Sequence, residues 1–184
     1  MIDMLKPLKK IVISKADKKK KITPLMVAAM RGDLETVKAL LKDKTKANIN
    51  AKTKKKDTAL HYAVRFRNKN IALLLIQMGA KVDIKNSKKE TPLHEVVNVF
   101  DQEDRRELTR ALFAKGADIA ENNKGETVMH LAVRKNMPEF ILFLKENIGQ
   151  MAKNKKGQTP LDVAKELGKT KDMGAVIDLL SGKK

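Results

Sequence analysis

The chain has 184 residues, 34% of them charged and 42% hydrophobic. That is enough for one compact domain or a short repeat array with a core, and it excludes disorder throughout. With 40 Lys and Arg against 22 Asp and Glu, the formal charge of +18 favours anionic partners and says nothing about fold; the absence of Cys excludes disulfides, Cys-based zinc sites and thiol chemistry.

Residues 1–22 are rich in lysine, and the lysines interrupt every apolar stretch. There is no continuous apolar region and no cleavage site, so no Sec signal is expected. The segment is predicted to be a basic N-terminal arm or a degenerate capping segment, with residues 11–22 as the remnant of a preceding unit. The longest apolar run, Ile71 to Ile76, is far below the ~20 residues that a membrane helix needs.

From residue 22 onward one octet recurs. It reads ITPLMVAA, DTALHYAV, ETPLHEVV, ETVMHLAV and QTPLDVAK. The threonines are Thr23, Thr58, Thr91, Thr127 and Thr159, spaced by 35, 33, 36 and 32. A period near 33 predicts an all-α array of stacked helix-turn-helix units, at about 23–57, 58–90, 91–126, 127–158 and 159–184. Each Thr is a predicted N-cap, and Pro24, Pro92 and Pro160 suit the first helical position. Ala28, Ala63, Ala132 and Ala164 let neighbouring first helices approach closely.

A second helix follows in each unit, with a buried stripe. In unit one the stripe is Leu34, Val37, Leu40 and Leu41; in unit five it is Met173, Val176, Ile177 and Leu180. Each buried side chain is worth roughly 1.5–3 kcal/mol, and no helix pair covers its own face, so the units must stack. Leu74→Asp is expected to unfold the array and Arg65→Glu to leave it folded. Unit three carries about four extra residues near FDQEDRRE, and Asp101, Glu103 and Asp104 there are read as a solvated loop. Gly125 and Gly157, two residues before a cap Thr, suit positive φ. Lys21, Lys56 and Lys89 hold that place elsewhere, in turns expected to be strained or differently shaped.

Two motifs approach chemistry without reaching it. HEVVN, from His94, has Asn98 where a zinc-protease box has its second His, and His94 occupies the place of His61 and His130. Its predicted role is a hydrogen bond to the Thr of its turn and a link between units. LGKTK, from Leu167, has Val163 where a phosphate-binding loop needs Gly, and it lies between helices. No catalytic, cofactor or metal site is predicted.

The segment KANINAKTKKKDTALHYAV, residues 46–64, closely resembles the ankyrin pattern GADVNAxDxxGxTPLHxAA, and the resemblance runs from about Thr23 to Leu180. It implies an ankyrin-repeat solenoid with short β-hairpin-like fingers and a concave binding face. Met26 and Asp162 stand where the pattern has His, as in terminal caps. By resemblance, partner contacts fall on the finger tips Lys54, Lys55, Ser87, Lys88, Lys124, Lys155 and Lys156. They also fall on the first-helix ends Arg31, Arg65, Phe66, Asn98, Val99, Arg134 and Lys135. These positions form either a functional basic stripe, with Phe66 as an anchor, or a lysine-rich surface that reflects composition alone.

The expected function is non-catalytic binding of another protein, of acidic character, as adaptor, scaffold or inhibitor. The alternative is non-specific binding of nucleic acid or an anionic surface; against it stand only six aromatics, one Tyr and five Phe. The chain is read as a monomer, in the cytoplasm or delivered into a host cell as a bacterial effector.

Overall fold

The computed structural model describes residues 13–42, 47–148 and 151–182. Residues 1–12 of the predicted arm, and 43–46, 149–150 and 183–184 of the predicted domain, lie outside them. Described residues 13–22 begin with a short helix, α1 (Lys15–Lys19), capped by Ser14.

Five helix pairs follow. The first helices are α2 (Pro24–Arg31), α4 (Ala59–Arg65), α6 (Pro92–Glu95), α8 (Val128–Arg134) and α10 (Pro160–Leu167). The second helices are α3 (Leu34–Lys42), α5 (Lys69–Gln77), α7 (Gln102–Ala114), α9 (Pro138–Asn147) and α11 (Gly174–Ser181). First helices pack on first helices and second on second, so the array is two helical layers with the core between them. Pro138, a departure from the pattern in the sequence, opens α9 at a position where its missing N–H costs little.

The threonines cap all five first helices. Ala28, Ala63, Ala132 and Ala164 are fully buried at the helix contacts. In the second helices the stripes are buried more narrowly than their sequences suggest. Val37, Leu41, Met173 and Val176 are buried, whereas Leu34, Leu40, Ile177 and Leu180 are partly covered. In α5 the buried face is Ile71, Ala72, Leu75 and Ile76, and Leu74 is only partly covered. The decisive core position there is therefore Leu75 rather than Leu74.

The fingers are tight turns, and no strand occurs among the described residues. Each turn closes with one cross-bond, such as Asn86 N–H to the Glu90 carbonyl at 2.9 Å. The turn residues Lys21, Lys56, Lys89, Gly125 and Gly157 all have positive φ, between 58° and 76°. The lysine turns thus keep the glycine shape and carry its strain.

Unit three departs from the others. Its first helix is cut to α6 and followed by a tight 3-10 turn, Val96–Asn98. The extra residues do not form a solvated loop. Asp101 caps α7, and Glu103 and Asp104 lie in its first turn, where carboxylates complement the helix dipole. Lys69 of α5 pairs with Asp104 at 2.6 Å and Glu107 at 3.1 Å, and its pKa is pushed up to about 12 by those bonds. Arg105 is buried beneath the loop and donates to the carbonyls of Val99 and Phe100. Val99, expected at a binding surface, is 3% exposed and belongs to the core.

Candidate functional site

The first-helix octet sets up a chain of bonds between units. In unit two, the Thr58 N–H donates to Nδ1 of His61 at 3.2 Å, and the Thr58 hydroxyl lies 2.9 Å from the same nitrogen. Nδ1 must therefore be the acceptor, which leaves the proton on Nε2. Nε2–H donates at 3.1 Å to the Glu90 carbonyl, directly before the Thr91 that caps the next unit. His94 and His130 repeat this, reaching the carbonyls of Glu126 and Gln158. Burial pushes all three imidazole pKa values down. Asp162 takes the place of His in the last unit, where its carboxylate accepts both the N–H and the hydroxyl of Thr159.

A second set of bonds builds the fingers. Asn86 Oδ1 accepts the N–H groups of Lys88 and Glu90; Asn122 and Asn154 do the same in their turns, and Thr53 caps the Asp57 N–H. All four are buried, and each lies five positions before a cap threonine. Sequence reasoning passed over these residues, although that constant offset was there to find.

The finger tips are joined by their backbones. Lys54 N–H donates to the Lys20 carbonyl at 3.0 Å, Ser87 to Lys55 at 2.8 Å, Asn123 to Lys88 at 2.8 Å and Lys155 to Lys124 at 3.0 Å. Gly125 sits at such a contact. A Cβ there would lie 2.6 Å from the Lys155 nitrogen, so no larger residue fits without movement. The side chains of Lys54, Lys55, Lys88, Lys124, Lys155 and Lys156 are exposed along this row.

Between neighbouring fingers and first helices lie two clefts. One, of about 390 Å³, brings together Lys55, Arg65, Lys88 and Asn98 with Asp57, Glu90 and Glu95. The other, of about 580 Å³, brings together Lys124, Arg134, Lys155 and Lys156 over Glu126. Arg31, Lys54, Phe66 and Lys135 line neither cleft. Arg31 and Lys135 are exposed at first-helix ends, and Phe66 is 51% exposed with its ring 6.3 Å from that of Tyr62.

Arg65 is not a free cation. It donates to Asp57 at 2.9 Å and to Glu95 of the next unit through Nε at 2.9 Å and a second contact. Burial lowers its pKa, but the bonds to Glu95 and Asp57 outweigh that and raise it. Asn98 donates to the other oxygen of Glu95 at 3.0 Å. Arg65→Glu therefore strikes the fold as well as the surface, contrary to the sequence expectation.

Among the described residues, no helix is long and apolar enough to cross a membrane. A family model described as ankyrin repeats (3 copies) matches residues 2–86 and 93–179. Repeats of this kind are in general protein–protein interaction modules and are typically non-catalytic. With a match over most of its length, and with stacked helix pairs that repeat one cap, one link and one finger, the chain belongs to the ankyrin repeat family.

Proposed function

We propose that this protein is an adaptor, scaffold or inhibitor that binds a partner protein of acidic character through its finger tips and the clefts beneath them. The row of tip lysines, held in register by backbone bonds from finger to finger, carries the reading. Such a row presents fixed charges at low conformational cost, because the backbone that bears them is ordered before the partner arrives.

The test is partner capture at about 0.15 M salt, where surface charges act over only ~8 Å, with nuclease added. Wild type is compared with Lys55→Glu, Lys88→Glu, Lys124→Glu, Lys155→Glu combined. These side chains are exposed and make no hydrogen bond or ion pair among the described residues, so the variant keeps the fold. A discrete protein retained by wild type and lost by the variant is the expected result. Material that vanishes with nuclease, or a protein held equally by both, would sink it.

A further inference from the structure

The two clefts differ in charge balance. In the cleft at the end of α4, Lys55, Arg65 and Lys88 face Asp57, Glu90 and Glu95, three cations against three carboxylates. Arg65 is engaged there through Nε and Nη2 by Glu95 and Asp57, which leaves Nη1 alone without a described partner. In the cleft at the end of α8, Lys124, Arg134, Lys155 and Lys156 face Glu126 alone. Arg134 gives its Nε to Glu126 at 2.5 Å, while Nη1 and Nη2 donate to no described residue. Its side chain is 39% exposed and that of Glu126 only 4%.

The difference traces to one position. Arg65 reaches Glu95 of the next unit, the residue directly after His94. The corresponding residue after Asp162 is Val163, which is buried and carries no charge. The fork of Arg134 therefore keeps its outer edge open toward the cleft.

We infer that the cleft at the end of α8 is a socket for an Asp or Glu side chain of the partner protein. The inference rests on the protein-binding function proposed above. The carboxylate pairs end-on with Nη1 and Nη2 of Arg134, the planar geometry that a guanidinium fork offers and an ammonium does not. Lys155 and Lys156 close the rim. Nucleic acid fits less well: no aromatic ring lines the cleft to stack a base, and Glu126 on its floor opposes a run of phosphates. The cleft at the end of α4, already neutral, contributes contact area and little charge attraction.

The probe is a short labelled peptide of alternating Glu and Ser, titrated against the full chain at about 0.15 M salt. Two variants of equal net charge are compared, Lys155→Glu/Lys156→Glu and Lys55→Glu/Lys88→Glu. The first is expected to weaken binding by about tenfold or more and the second by less than about threefold. Arg134→Lys keeps the positive charge beside Glu126 but removes the fork, and is expected to weaken binding by about three- to tenfold. Thermal melting of each variant confirms that it is folded. Equal weakening by the two double variants overturns the inference, as does unaltered binding by Arg134→Lys. So does the absence of peptide binding to wild type. An oligonucleotide of matched charge that binds as tightly, with the same dependence on Arg134, overturns the carboxylate assignment. None of these results touches partner capture, on which the proposed function stands or falls separately.

Discussion

Each histidine of the array holds two bonds with one proton. Nδ1 accepts from a threonine and Nε2 donates to the carbonyl just before the next cap threonine, so a second proton on Nδ1 would face the Thr58, Thr91 or Thr127 N–H head on. Burial lowers each folded-state pKa, and nearby carboxylates only partly offset it: Asp57 and Glu95 at His61, Glu95 at His94, Glu126 at His130. Arg65, Lys85 and Arg134 push the same way as burial. Below about pH 6.5 the unfolded chain binds protons at these residues that the folded chain refuses, so stability is full above that pH and falls with acidification. Urea unfolding at neutral pH and about one unit below the histidine range, read as midpoint, is expected to show the loss; the triple substitution His61→Gln, His94→Gln, His130→Gln should flatten that part of the profile. At Arg65, reversal to Glu sets a third carboxylate against Asp57 and Glu95, which are 5% and 7% exposed. The expected cost is about 2–4 kcal/mol, set about 1 kcal/mol below the range for a fully buried pair because Arg65 itself is partly exposed. Lys38→Glu, at the exposed pair with Glu35, should change stability by less than about 1 kcal/mol under the same denaturant titration.

At the scale of elements, the turns divide into those that tolerate a side chain and those that do not. Lys56 and Lys89 pay conformational strain at φ 62° and 60°. Lys56→Gly and Lys89→Gly should each stabilise by about 0.5 kcal/mol, since relief of the left-handed strain exceeds the entropy that glycine adds to the unfolded chain. Gly125→Ala should destabilise by more than about 1 kcal/mol, because strain and the close Lys155 backbone act together; melting temperatures of the three variants check both signs. The turn positions, the threonine caps and the roles of the histidines were legible because a local rule repeats at one period. The fate of the extra residues in unit three was not. Charged residues beside Phe100 read as loop, yet they lengthen α7, because Asp101 supplies a cap and Arg105 satisfies the loop carbonyls from below. Arg67 and Asn136 were missed as well: both leave a first helix with positive φ, the place that Gly32 takes in unit one. The pairing of Arg65 with Glu95 joins residues 30 apart in different units, and only the stacking register reveals it.

For the whole molecule, contacts run between neighbouring units, so damage should depend on where it falls. Leu75→Asp in the interior of the array buries an unpaired carboxylate and should abolish cooperative unfolding altogether. Val176→Asp, equally buried but in the last unit, should release α11 while the first four units still melt together. Hydrogen exchange followed unit by unit separates the two cases, and uniform loss of protection in the Val176 variant would contradict a modular array. The tip lysines, finally, are tied from finger to finger through main-chain atoms, while the Asn123 side chain adds a bond to the Ser87 carbonyl at 3.2 Å. Exchange of a tip lysine therefore leaves the pitch of the row untouched. The array works as a comb whose teeth can be replaced while their spacing stays set. A partner is selected first by whether its own charges fall at that interval, and only then by how many it carries.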